Sequence, residues 1–595
     1  MKKIERIHLN LLIGLVISLS SILFFYFCSF KVYELFTINC LNKDYLTWDP
    51  ELRYIITLKM MNYLRDFNLI QFFLLFFDSP HWPSLRNVIE SFIFLSTHHS
   101  PLKVIVLTYF SFLFIPIVLF LIMSLLHEIN ITFGLIYAFM IISLLQADSL
   151  WLYSLTGMLE LQGALLFPIV SYIVWKSLSD IDFIKKRRNG WLTFSITFLL
   201  YQTKYPYGYM LVLFLAIFQI IFYSRITWEF GLEYLKSMKV PYKKPFLLLA
   251  ILLLIVLLFF KSSLLGKTPG YITYSIVLFT MIDFFVYFFK NNNNERSHLS
   301  FVIQWIFFPI IIWILIQPDR FGSYSGQISH VETQGFNPGQ KIDKNLDYLL
   351  VFFTEFIFNA FREFHVSYII LSGNTLIFFW GVYDFLTSKK VNFSFFLSSI
   401  SLITIIELSL FTSNRLARHT YHLYPTMLLA ISIFILSMKP KFKGVPILVS
   451  LGLLLLVSFP FITSPLLSLS KTEICYTGYD KNDYKLPEWI KIVGLEKLNK
   501  NTILLNEVNP LHVNKADTEY VLFKIAYDKK ILLLVDPKRS NQYKNSFEEI
   551  WIISNNCKES ERLNSQKNIL IELGFAINEF EEIKNEFGCI RIVKK

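Results

Sequence analysis

The chain has 595 residues, of which 54% are hydrophobic and only 17% charged, with 61 phenylalanines and a positive mean hydropathy. This composition is too apolar for a soluble protein of this length and indicates a polytopic membrane protein. The net charge of +12 falls in short clusters between apolar runs, with no basic stripe carrying interleaved aromatics, so it is read as membrane topology and nucleic acid is excluded as a partner.

The amino terminus, MKKIERIH followed by an apolar run to about Phe30, imitates a signal peptide. That run is long enough to span and lacks a small-residue cleavage site, which predicts a retained first transmembrane helix. Apolar runs then predict spans at about 9–30, 102–126, 130–148, 152–175, 191–203, 207–223, 246–262, 271–289, 299–316, 366–386, 393–411, 421–438 and 444–463. The count is about thirteen, and an odd count sets the two ends on opposite sides. Loop charge agrees: with a cytoplasmic amino terminus, the inner segments include KKIER, KSLSDIDFIKKRRNG, SRITWEFGLEYLKSMKVPYKKP, KNNNNERSH, TSKK and KPKFKG, almost every one of them basic. Richness in Lys, Asn, Ile and Phe suggests a low-GC bacterial genome, hence a bacterial inner membrane, with outer segments periplasmic or extracellular.

The transmembrane part is expected to cover 1–463, with a long first outer loop at 31–101. Within that loop, 50–64 and 67–77 alternate polar and apolar residues at helical spacing but are too short or too charged to cross, which suits helices lying in the interface. Segment 347–362, DYLLVFFTEFIFNAFR, reads the same way. From 464 to 595 the chain is charged and asparagine-rich, and the short apolar runs TILLNEV, KKILLLVD, EIWIISNN and CIRIVKK alternate with helix-like stretches. This predicts a small extracytoplasmic α/β domain, with no GxGxxG or P-loop to hold a nucleotide. Five cysteines are too few and too scattered for a disulfide framework or a zinc site, and no cofactor is indicated.

The predicted outer face brings together Asp49, Glu51, Arg53, Tyr54, Asp78, His81, Lys204, Arg415, Arg418, His419 and Tyr421, with Glu160 a little deeper in the fourth span. A carboxylate among several cations is what an anionic lipid-linked substrate requires: cations to hold a phosphate and an acid to take a proton. Each residue also has a plainer reading. Asp49, followed by Pro50 and Glu51, is a good helix start; Lys204 suits a snorkelling anchor at a helix end; His419 and His422 at i, i+3 are short of a third metal ligand, so no metal is assigned. Glu160 lies in an apolar run, where an unpaired carboxylate is costly, which favours a paired or functional role. Asp180-Ile181-Asp182 matches a metal and nucleotide-sugar motif but stands in a short basic loop with no α/β domain around it, and reads as solvated.

Four segments in order carry a family resemblance. DPELRYIITLKMM at 49–61 resembles the first-loop signature of the GT-C integral-membrane glycosyltransferases, in the branch of the protein O-mannosyltransferases and the lipid A aminoarabinose transferase. HWPSL at 81–85 is similar to a later loop motif of that branch, with Ser84 in place of its second proline. LYQTKYPYG at 200–208 resembles a hairpin whose lysine faces the donor phosphate, and RHTYHLYP at 418–425 a late Arg-aromatic-Pro motif. The arginine often found upstream of the acid near Glu160 is replaced by Leu155 and Thr156.

The resemblance implies a GT-C-like fold with about eleven to thirteen spans, two juxtamembrane helices in the first outer loop and often an extracytoplasmic carboxy-terminal domain. It also implies transfer of a sugar from a polyprenyl-phosphate donor to a lipid, glycan or protein acceptor on the outer face, with inversion. Asp49 would be the catalytic carboxylate that takes up the acceptor's proton; Glu51, Arg53, Tyr54, His81, Glu160, Lys204, Arg418, His419 and Tyr421 would bind substrate. A transporter or flippase of lipid-linked sugars, and a polysaccharide polymerase or ligase, are the alternatives.

Overall fold

The computed structural model describes residues 2–39, 49–77, 83–97, 101–155, 160–222, 297–316, 346–388, 390–411, 417–438 and 444–463 of the helical part. In the carboxy-terminal part it describes 502–506, 532–534, 548–554, 570–571, 573–575, 581–585 and 588–594. The spans predicted at 246–262 and 271–289 lie outside the described residues.

The molecule is mostly helical. In chain order the first helices are α1 (Lys2–Asn39), α2 (Asp49–Arg65), α3 (Leu69–Phe77), α4 (Ser84–Thr97), α5 (Pro101–Leu126) and α6 (Ile131–Leu145). They are followed by α7 (Asp148–Ser154), α8 (Glu160–Ser179), α9 (Ile181–Lys185), α10 (Arg187–Thr203) and α11 (Tyr205–Phe222). Then come α12 (Ser297–Val302), a π-helical turn (Ile303–Phe307), α13 (Phe308–Ile316), α14 (Leu346–Asn359), α15 (Phe364–Ser388) and α16 (Phe393–Phe411). A 3₁₀ turn (Ala417–Leu423) leads into α17 (Tyr424–Leu436), and α18 (Val445–Thr463) ends the helical part. Among the described residues, five helical stretches are long and apolar enough to cross a membrane: 5–38, 106–126, 160–179, 364–388 and 419–436. Five shorter apolar helices accompany them.

Several predicted boundaries change. Helix α1 runs on to Asn39, well past the predicted end at 30, with Lys31 and Glu34 paired at 2.7 Å along one exposed helix face. The predicted span 152–175 is two helices, and Glu160 begins the second of them. Helix α4 stands in a stretch where the sequence predicts no helix.

Close backbone approach organises the core. Helix α6 packs between α1 and α18, and glycines permit the α1 contact: a Cβ on Gly14 would lie 2.1 Å from the Asn130 carbonyl oxygen. Asn130 caps α6, its side chain accepting from the Phe133 amide at 3.0 Å.

Contacts between remote segments join ends that the sequence places on the same side. At one end, Trp175 Nε1 donates to the Val391 carbonyl at 2.8 Å, and His298 Nδ1 lies 2.8 Å from the Ser177 carbonyl oxygen. At the other, Lys204 meets Glu160, Arg362 meets Asp148 and Gln146 donates to the Val457 carbonyl. The second end carries the candidate site.

Five strands, β1 (Thr502–Asn506), β2 (Leu532–Leu534), β3 (Glu549–Ser554), β4 (Glu581–Asn585) and β5 (Gly588–Lys594), form one sheet of order β2-β1-β3-β5-β4. The first three are parallel neighbours, and β5 runs antiparallel to both β3 and β4. Four of them coincide with the apolar runs in the sequence; β4, EEIKN, has too little apolar character to be anticipated. Trp551 and Ile592, paired across β3 and β5, are buried in the same contiguous apolar cluster as the helices.

Candidate active site at one end of the helical core

The site is built at a corner. Helix α10 ends at Thr203, Lys204 is extended (φ −155°, ψ 118°), and α11 starts at once with Tyr205 and Pro206. A proline in the first helical turn needs no amide partner, so the chain re-enters a helix immediately. The Tyr207 amide donates to the Lys204 carbonyl at 2.9 Å and closes the turn.

This corner turns Lys204 inward. Its Nζ donates to Glu160 Oε1 at 2.7 Å, with the two side chains only 13% and 4% exposed. A snorkelling lysine would hold its ammonium in solvent or headgroups; this one is committed to a buried carboxylate. Glu160 occupies the first position of the 20-residue helix α8, where the positive end of the helix dipole also favours its charge.

Aromatic rings close over the pair. The Lys204 ammonium lies 5.6 Å from the centre of the Tyr207 ring, a cation–π distance. Tyr207 stacks on His422 with centroids 4.2 Å apart, and His422 meets the edge of Phe167 at 5.0 Å. Neither ring nitrogen of the fully buried His422 makes a hydrogen bond among the described residues. Gly163, one turn after Glu160, makes the assembly possible: a Cβ there would lie 2.2 Å from Tyr207 Cε2 and 3.1 Å from His422 Cβ.

The structure thus brings Glu160 and Lys204 together. Asp49, Glu51, Arg53 and Tyr54 lie in the opening turns of α2, with side chains outside the described residues, as is that of Arg418 in the 3₁₀ turn. His81 lies outside the described residues altogether, as do Asp78 and Arg415. His419 packs its ring 6.4 Å from Phe352, so it and His422 turn onto different neighbours. Tyr421, expected on an open surface, is buried with its ring 5.4 Å from Tyr424, because the 3₁₀ turn folds into the core.

Residues the sequence reading passed over also gather at this end. Arg362 grips Asp148 with two hydrogen bonds of 2.7 and 2.8 Å and donates its amide to the Gln146 carbonyl, tying the start of α15 to α7. Arg86 and Glu90 of α4 form a buried pair at 2.5 Å. Glu407 in α16 is 3% exposed, and neither of its oxygens is hydrogen-bonded among the described residues. A buried acid in an apolar helix is the one signal that could have pointed to it.

The Asp180-Ile181-Asp182 motif is a helix cap. Asp180 accepts from the Asp182 and Phe183 amides at 3.0 and 3.2 Å, and Asp182 pairs with Lys185. Slight desolvation pushes the Asp180 carboxyl up, but those two amides and Lys176 outweigh it and hold its pKa below the usual value.

No family model matches the chain, and no curated protein matches it in sequence. Among solved structures it is similar to crystal structures of ArnT from Cupriavidus metallidurans. For the form bound to undecaprenyl phosphate the identity is 9% and the TM-score 0.44, over 94% of this chain and 96% of that one. For the apo form the identity is 8% and the TM-score 0.43, with the same coverage. Likeness at this level carries no functional weight by itself.

Proposed function

We propose that the protein is a membrane glycosyltransferase that moves a sugar from a polyprenyl-phosphate donor to an acceptor on the side of the membrane where Lys204 and Glu160 meet. The observation that carries the reading is their buried ion pair. Two charges held out of water are expensive and add little net stability, so their retention points to use. A lysine bound to one carboxylate beneath an aromatic cover can exchange that partner for a phosphate oxygen when a lipid-linked donor enters.

In the proposed reaction the acceptor hydroxyl oxygen attacks the anomeric carbon from the face opposite the phosphate. The new C–O bond forms as the bond to the phosphate oxygen breaks, inverting the carbon. Asp49 takes the hydroxyl proton, and polyprenyl phosphate leaves with the electron pair, its charge met by Lys204, Arg418 and His419. Glu51, Arg53, Tyr54 and His81 complete substrate binding in this reading. Residues 464–595 form an extracytoplasmic α/β domain, the amino terminus is cytoplasmic, and the membrane is the bacterial inner membrane.

Purified protein in detergent, given a panel of undecaprenyl-phosphate-linked monosaccharides and a membrane extract as acceptor source, should release undecaprenyl phosphate and build a labelled product. Release requires chemistry and not translocation, so it excludes a pure transporter. Intact donor across the panel would remove the enzyme reading.

A further inference from the structure

Arg86 is the hub of a polar network that joins four helices. Its Nε donates to Glu90 Oε1 at 2.5 Å within α4; one terminal nitrogen donates to Thr108 of α5, and the other to Gln162 Oε1 of α8 at 3.3 Å. From the other side, Thr57 of α2 donates its hydroxyl toward Glu90 Oε2 at 3.3 Å and Asn87 Oδ1 at 3.4 Å. Arg86, Glu90, Thr57, Asn87 and Thr108 are all buried. Apolar packing alone lets a helix slide or rotate at small cost, whereas a buried guanidinium accepts few geometries.

The two ends of the network are informative. Thr57 lies eight residues after Asp49 on α2, a rise of about 12 Å, and Gln162 lies two residues after Glu160 on α8, a rise of about 3 Å. The network therefore links the helix that begins with the proposed base to the helix that begins with the partner of the proposed phosphate lysine.

We propose that Arg86 is a positioning residue whose network sets the depth and rotation of α2 against α8, and so the separation of the acceptor-activating acid from the phosphate site. The inference rests on the transfer reading for its consequence but not for its geometry. Replacing both charges, Arg86→Met with Glu90→Met, removes the charged pair at the centre of the network and with it the links to Thr108 and Gln162, a change that folded proteins tolerate better than loss of one partner.

Spin labels on full-length protein at the exposed positions Lys59→Cys and Ser179→Cys, in a background free of other accessible cysteines, report the α2 to α8 distance. The expected result is a narrow distribution with Arg86 and Glu90 present and a broad or shifted one in the double variant. An unchanged distribution overturns the proposal. Where transfer is measurable, the double variant should bind undecaprenyl phosphate as the parent does while its turnover falls by about 100-fold, the loss expected for a misplacement on the order of 1 Å. Equal loss of binding and turnover would mark Arg86 as merely structural and overturn the positioning role. Absence of transfer in the parent would sink the reaction reading and leave the spin-label distances to decide the network.

Discussion

Lys204 Nζ and Glu160 Oε1, 44 residues apart in sequence, meet at 2.7 Å with both side chains largely withdrawn from solvent. Removing either partner alone takes a salt-bridge partner from a buried charge, at a cost of about 3–5 kcal/mol, while removing both is closer to neutral. Lys204→Met and Glu160→Gln should each lower the melting temperature of the detergent-purified protein, and Lys204→Met with Glu160→Met should recover most of the loss. Undecaprenyl phosphate should bind to none of the variants that lack Lys204. A double variant that is stable and still binds the lipid would detach the pair from the phosphate.

Asp49 begins α2, so helix capping and proton abstraction must be separated. Asparagine caps a helix about as well as aspartate but cannot take up a proton, whereas alanine does neither. Asp49→Asn should keep the melting temperature and lose transfer by about 100- to 10,000-fold. Asp49→Ala should lose the same activity and, in addition, on the order of 1 kcal/mol of stability. Normal turnover in Asp49→Asn would reduce the residue to a cap.

The extent of α2 was legible because its ends are written in local chemistry: Asp49-Pro50 opens it, Arg65 closes it, and the structure gives 49–65 where the pattern predicts 50–64. Helix α4 was not legible, because Arg86 and Glu90 interrupt its apolar spacing and a periodicity reading takes charge for exposure. Only the structure reveals that the two cancel each other in the interior. The contact of His422 with Tyr207 was equally hidden, since it depends on the missing side chain of Gly163, 259 positions before the histidine. Glu160 was singled out correctly as costly, but its place at a helix start depended on a break that the apolar run from 152 to 175 conceals.

His127, in the turn between α5 and α6, supplies a pH prediction. Burial lowers its pKa below the usual 6.5, and its Nε2 lies 3.5 Å from Ser437 Oγ. A base with a depressed folded-state pKa takes up its proton more readily in the unfolded chain. Its stabilising contribution is therefore present above about pH 6.5 and is lost as the pH falls through the folded value. Melting temperatures measured between pH 5 and 8 should fall on the acid side, and His127→Gln should flatten that fall. An identical acid slope in the variant would assign the effect to another group.

Gly163 tests whether the aromatic cover is as tight as the distances state. A methyl group there would stand 2.2 Å from Tyr207 Cε2 and 2.9 Å from Cζ, inside the contact limit, and the Tyr207 ring is already packed on that of His422. Overpacking of this kind costs about 1–3 kcal/mol, against a helix-propensity gain of up to about 1 kcal/mol for glycine to alanine. Gly163→Ala should therefore be net destabilising despite favouring the helix, and it should weaken undecaprenyl phosphate binding by pushing Tyr207 away from the Lys204 ammonium. Tyr207→Leu opens the space, so in a double-mutant cycle Gly163→Ala should cost less in the Tyr207→Leu background than alone. Strict additivity of the two changes would show that the ring does not lie against α8, and with it the aromatic cover of the ion pair would be lost.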